Sequence, residues 1–296
     1  MTPAIVFVTV FAALFGLAIG SFLNVVAYRL PRKISLLRES RCPNCRARIR
    51  WYQNIPVLSW FALKGRCATC WERISPRYAI VEGATGLLFA LVALGVIFGR
   101  PLDLRPVDGS LWFTSAEFWG ILLTLEVFAA FSVVLTLIDL DSKRLPNTIV
   151  LPGWAAIIVL LLVTTLLTRF VSPAARSTTG ESLDTWWPFL RALIGGAALF
   201  LFYYVVRLIS PRGMGGGDVK LAGLVGTMLG WFGWGALVFG AFAAFVLGAA
   251  YGGILLLTRR AKRKSAIPFG PWILLGAWAG IVVGEPIGRW YVGLMS

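Results

Sequence analysis

Long runs of apolar residues constrain the fold of this chain more than any other feature. Eight runs come close to the length of about 20 residues that an α-helix needs to cross a bilayer. They cover residues 4–28, 79–99, 116–138, 149–168, 188–209, 219–233, 235–257 and 270–292. Such runs, in a chain that is 58% hydrophobic and 14% charged, exclude a water-soluble core. The sequence therefore predicts an all-α polytopic membrane protein with about eight transmembrane helices, the sixth of them short.

Basic residues beside these runs predict the orientation of the chain. Residues 29–78 are rich in Lys and Arg and contain only Glu39 and Glu72 as acids. Because basic loops are retained on the cytoplasmic side, this segment is predicted to be cytoplasmic, with both termini outside. Counting spans onward places residues 139–148, 207–220 and 258–266 on the same side. We assign the net charge of +15 to loops that face anionic membrane lipid, and expect no nucleic-acid partner.

The apolar runs divide the chain into three predicted parts. Residues 1–29 form a first transmembrane helix, residues 30–78 a cytoplasmic four-cysteine insert, and residues 79–296 a transmembrane bundle. An insert of this size buries little core, and small domains of this kind usually need a metal or disulfides.

All four cysteines of the chain lie in the insert, as Cys42-Pro-Asn-Cys45 and Cys67-Ala-Thr-Cys70. Two CxxC pairs suit a tetrahedral site of four thiolates, and the chain has no histidine to serve as a ligand. We therefore predict a structural zinc ion in a zinc-ribbon-like insert, with nearby arginines offsetting the surplus thiolate charge. The alternative is a pair of disulfides or redox-active thiols, which a reducing cytoplasm disfavours.

Two aspartates at the ends of predicted spans are the candidate catalytic residues. Asp139 closes the third span, and Asp218 follows a glycine cluster and precedes the sixth span, so both are predicted at the cytoplasmic interface. Charged residues close to the membrane interior are energetically costly and often functional. In a pair of carboxyl groups, the ionised one can activate a water and the protonated one can polarise a carbonyl. The absence of histidine excludes Ser-His and Cys-His triads. Two alternatives stay open: Asp218 only caps a helix, or Asp139 and Asp141 pair with Lys143 and Arg144 in a solvated loop.

Five motifs occur in order along nearly the whole chain: GSFLNVVAYRLP at 20–31, the paired CxxC insert, IDLD at 138–141 with LPN at 145–147, GMGGGDVKL at 213–221, and IPFGP at 267–271. Together they resemble the motifs of type IV prepilin peptidases. One departure is Ser142, which stands where many members of the family carry histidine.

The resemblance implies a bifunctional enzyme of the bacterial inner membrane. Asp139 and Asp218 would be the catalytic pair of an aspartyl endopeptidase that removes the basic leader of type IV prepilins or type II secretion pseudopilins after the leader's terminal glycine. Many members then methylate the new amino terminus from S-adenosylmethionine, and the cysteine insert accompanies that form. No glycine-rich strand-turn-helix for the methyl donor is visible, so its binding residues remain unassigned, as does the oligomeric state.

Helix dipoles suggest how the two acids differ. The end of a span opposes a negative charge on Asp139, whereas the start of a span favours one on Asp218. We hypothesise that Asp218 is the resting carboxylate and Asp139 holds the proton. Two competing functions also fit parts of the sequence: a transporter with the acids along a cation path, and a zinc-ribbon scaffold without chemistry.

Overall fold

Helices make up most of the computed structural model, which describes residues 3–99, 115–171, 186–211, 214–259 and 268–295. Their bounds are α1 Pro3–Arg29, α2 Leu58–Ala62, α3 Arg77–Ile97, α4 Ala116–Ser142, α5 Asn147–Val171, α6 Trp187–Ile209, α7 Gly216–Phe232, α8 Trp234–Leu257, α9 Gly270–Ala279 and α10 Glu285–Gly293. A π-helical turn, Gly280–Gly284, joins α9 to α10. Extended structure within the described ranges is confined to two isolated β-bridges.

The predicted all-α membrane architecture is confirmed. In the part of the chain that the structure describes, seven helices are long and apolar enough to cross a membrane, with α9, the π turn and α10 counting as one. The sixth predicted span, 219–233, corresponds to α7, which has 17 residues. Gly213 of the glycine motif, Ile267 of the last motif and the basic residues at 260–264 lie outside the described residues. The predicted division into residues 1–29, 30–78 and 79–296 stays a prediction.

The first of two compact units comprises the described residues up to Gly95 together with Ala129–Leu137. Small residues bring α1 and α3 together here. A Cβ on Gly16 would lie 2.7 Å from Phe89 Cβ, and one on Gly20 would lie 2.9 Å from the Cα of Glu82. The Glu82 carboxylate, which is buried, accepts the backbone N–H of Val57 at 2.7 Å and so ties the insert to the first turns of α3.

Within the insert, two knuckles repeat the same backbone with an offset of 25 residues. The first knuckle covers residues 39–49 and the second residues 64–74, so that the bridge Arg41–Arg48 is matched by Arg66–Arg73. The cysteine N–H bonds repeat as well: Cys42 donates to Ala47 O at 3.0 Å, and Cys67 donates to Glu72 O at 2.9 Å. Each knuckle presents two cysteines on one turn.

The second unit consists of the remaining described residues, with α7 as its central helix. Helix α7 contacts α5, α6, α8 and α9, and nearly every side chain from residue 219 to 230 is buried. Glycines permit a very close approach of α6, since a Cβ on Gly226 would meet Gly195 O and one on Gly195 would lie 2.6 Å from Gly226 O. The Arg191 guanidinium donates to the carbonyls of Gly230 and Trp231, both at 2.7 Å, and so caps the end of α7.

Candidate active site

Asp139 lies in the last turn of α4, which ends at Ser142. Its side chain is buried, with 4% of its surface exposed. The backbone N–H of Gly270, the first residue of α9, donates to Asp139 Oδ2 at 2.9 Å. Lys143 adopts a left-handed conformation and its N–H closes the helix on the carbonyl of Asp139. The acid is therefore held at a helix terminus by the backbone of another helix.

Asp218 is the third residue of α7. Its Oδ2 accepts the backbone N–H of Gly215 at 3.1 Å, which is the contact expected of an acid in the first helical turn. The side chain is only partly covered. Asp218 therefore does cap its helix, and one carboxylate oxygen remains outside that bond.

The two carboxyl groups are close enough for their charges to interact. Leu145 lies between the segments that carry them: a Cβ on Gly217 would lie 2.7 Å from Leu145 Cβ, and one on Gly270 would lie 3.5 Å from Leu145 Cδ1. The motifs around Asp139, Leu145, Asp218 and Gly270 thus meet at one place in the second unit. The alternative of a solvated loop is wrong for Asp139, which is helical and buried.

Two further residues at this place carry no sequence signal strong enough to have been singled out. The Lys220 ammonium donates to Asn147 Oδ1 at 2.8 Å and links the first turn of α7 to the first residue of α5. Tyr203, 1% exposed, lies within electrostatic range of Asp218 and packs against Phe245 and Phe269. Lys220 follows Asp218 by two positions, so its motif offered a hint; Tyr203 is one of several aromatic residues in α6 and offered none.

The four cysteine sulfurs all lie within 4.8 Å of one another, and Cys42 Sγ is 3.8 Å from Cys70 Sγ. Four sulfurs held tetrahedrally at about 2.3 Å from zinc are about 3.8 Å apart. A disulfide would require about 2.05 Å, and all four thiols are free. The donor set and its dimensions therefore fit a four-thiolate metal ion.

The surroundings of these sulfurs shift the pKa values of two of the cysteines. The backbone N–H groups of Cys70 and Thr69 lower the pKa of Cys67 to about 6. The N–H of Ala47 lowers the pKa of Cys45, but desolvation and bonds with the other three sulfurs outweigh it and raise this pKa to about 11. Four adjacent thiols resist joint ionisation, and a bound divalent cation removes that resistance.

Comparison with known proteins matches both halves of the chain. Residues 14–96 match the bacterial peptidase A24 N-terminal domain, and residues 126–253 match the type IV leader peptidase family. A prepilin leader peptidase/N-methyltransferase of Pseudomonas putida is 33% identical over 97% of this chain and 94% of its own length. The chain belongs to the type IV leader peptidase family.

Other members named prepilin leader peptidase/N-methyltransferase agree with this assignment. The one from Aeromonas hydrophila is 34% identical over 94% of this chain and 92% of its own, and the one from Bacillus subtilis is 32% identical over 94% and 96%. No solved structure matches the chain. The family and the enzyme class predicted from the motifs are confirmed. The prediction of a multi-pass membrane protein is confirmed as well.

Proposed function

We propose that this leader peptidase family member is an intramembrane aspartyl endopeptidase with Asp139 and Asp218 as its catalytic pair. Its substrates are type IV prepilins or pseudopilins, cleaved after the glycine that ends their basic leader. The observation that carries the proposal is that the two helix ends bearing these carboxyls meet around Leu145, each carboxyl fixed by one backbone N–H. The names of the relatives support prepilins as the substrate class.

The chemistry requires one ionised and one protonated carboxyl. Two adjacent carboxylates repel, so the pair retains one proton, and the start of α7 favours the charge on Asp218. Asp218 removes a proton from water while the oxygen of that water attacks the scissile carbonyl carbon. Asp139 donates a hydrogen bond to the carbonyl oxygen, which becomes the oxygen of a tetrahedral intermediate. Asp218 then returns its proton to the leaving amine as the C–N bond breaks.

The second activity is N-methylation of the amine that cleavage exposes. The relatives are named as N-methyltransferases, which supports S-adenosylmethionine as methyl donor. Zinc on Cys42, Cys45, Cys67 and Cys70 has a structural role, because four thiolates leave no open position for a substrate. The basic insert supports placement of the cleavage site at the cytoplasmic face.

Cleavage of a prepilin-like peptide by the detergent-purified enzyme tests this proposal, with mass spectrometry reporting leader loss and added methyl. Asp139→Asn and Asp218→Asn should each reduce cleavage by a factor of about 10³ or more. Asp141→Asn is the matched control, since Asp141 is exposed near the same end of α4, and should cleave normally. A transporter or a scaffold would show no cleavage in any form, and activity surviving in Asp139→Asn or Asp218→Asn rules out the pair.

A further inference from the structure

The two knuckles of the insert share a backbone but differ in charge. In the first knuckle, Arg41 and Arg48 stand opposite each other across a β-bridge, and Glu39 accepts an ion pair from both, each at 3.2 Å. Like charges on directly opposed residues repel, so Glu39 stabilises this pair.

The second knuckle has the same pair of arginines without the acid. Arg66 and Arg73 stand opposite each other, and the residue 25 positions after Glu39 is Lys64. Across the described ranges, no carboxylate lies within ion-pair distance of Lys64, Arg66 or Arg73. The nearest acid in sequence, Glu72, accepts a hydrogen bond from Asn44 instead. Lys64 therefore takes the position that a carboxylate occupies in the first knuckle, beside the two cations Arg66 and Arg73.

A cavity lies at this position. Its lining consists of Trp60, Lys64, Gly65, Arg66, Arg73, Ile74, Ser75 and Pro76, and its volume is about 510 Å³. The Trp60 indole is fixed by a hydrogen bond to Ile74 O at 3.2 Å and packs over Gly65, where a Cβ would lie 2.9 Å from the ring. Three cationic side chains, no acid and one fixed aromatic wall make a site for an anion.

The guanidinium groups of Arg66 and Arg73 do not bind the cysteine sulfurs directly, although Arg66 precedes Cys67 in the sequence. Among the described residues, no hydrogen bond links either guanidinium to a cysteine sulfur.

The cavity lies beside the start of a membrane-spanning helix, which indicates the kind of ligand that binds there. Pro76, in its lining, directly precedes Arg77, where the membrane-spanning helix α3 begins. The short helix α2 beside it exposes 67% of Leu58 and 66% of Phe61, apolar side chains suited to the lipid interface. We propose that Lys64, Arg66 and Arg73 bind the phosphate of an anionic phospholipid headgroup in the inner-leaflet interface.

Lys64→Glu tests the proposal because it gives the second knuckle the acid of the first. The full-length protein in neutral detergent is titrated with dihexanoyl phosphatidylglycerol, dihexanoyl phosphatidylcholine or inorganic phosphate, and bound molecules are counted by native mass spectrometry. The wild type should hold one saturable phosphatidylglycerol, and Lys64→Glu should bind it about tenfold or more weakly. Phosphatidylcholine and inorganic phosphate should bind weakly to both.

Arg38→Glu is the matched control, since it makes the same charge change at an exposed residue of the same insert. It should bind phosphatidylglycerol like the wild type, and the zinc content of each variant checks that the knuckles are folded. Equal loss in Arg38→Glu and Lys64→Glu, or unchanged binding in Lys64→Glu, overturns the site. Inorganic phosphate binding as tightly as phosphatidylglycerol overturns the assignment to lipid.

Discussion

At the residue scale, Gly270 contributes to the site because it has no Cβ. Its N–H reaches Asp139 Oδ2 at 2.9 Å, and a Cβ at this position would lie only 2.8 Å from the same oxygen. The carboxylate cannot retreat from a methyl group without lengthening the hydrogen bond that positions it. The pattern Pro-Phe-Gly-Pro was recognisable in the sequence, but its role depends on a contact 131 positions away in the chain.

We therefore expect Gly270→Ala to lower kcat/KM for a prepilin-like peptide by about tenfold to a hundredfold, because small displacements of a catalytic group are costly. Thermal stability in detergent should change little. Gly253→Ala is the control, since a Cβ there has no neighbour within 4 Å. A rate in Gly270→Ala equal to that of the control would show that the contact does not position Asp139.

At the element scale, the apolar runs predicted each span to within a few residues because lipid imposes one length and one polarity on every helix. The π turn Gly280–Gly284 escaped prediction, since hydropathy does not distinguish a π turn from the α-helix around it. Helix α7 begins at Gly216 rather than at 219, because Asp218 caps it from inside the first turn. Hydrogen bonding at helix ends is not visible in hydropathy.

The bond from Lys220 to Asn147 fixes the start of α7, which carries Asp218, against the start of α5, which follows the end of α4 and Asp139 after a short connection. Lys220→Met and Asn147→Leu should each reduce kcat by about tenfold while KM changes little. The double variant should be no worse than either single one, because both changes remove the same bond. Losses that multiply in the double variant would mean that the two residues act separately.

At the scale of the whole molecule, the side of the membrane that holds the insert was predicted from its basic residues alone. The knuckle repeat was also present in the sequence as two copies of RCxxCxxRI, but its short match and unequal charges hid it. The proximity of Asp139 and Asp218 could not be deduced from hydropathy, since it depends on how α4, α7 and α9 pack.

Because every cysteine of the chain lies in the insert, a membrane-impermeant maleimide reports the side on which the insert lies. Intact spheroplasts should remain unlabelled, and inverted vesicles should be labelled once a chelator removes the metal that protects the thiolates. Ser296→Cys, predicted to lie outside, provides the positive control in spheroplasts. Labelling of the unmodified chain from outside would reverse the predicted topology.

The hydrogen bonds that fix Asp139 and Asp218 come from peptide groups of Gly270 and Gly215 rather than from side chains. Any amino acid other than proline would supply the same donor. A substitution at Gly215 or Gly270 therefore acts through the size of the new side chain and not through loss of the hydrogen-bond donor. A bulkier residue lengthens the bond, whereas proline is the one replacement that would abolish it outright.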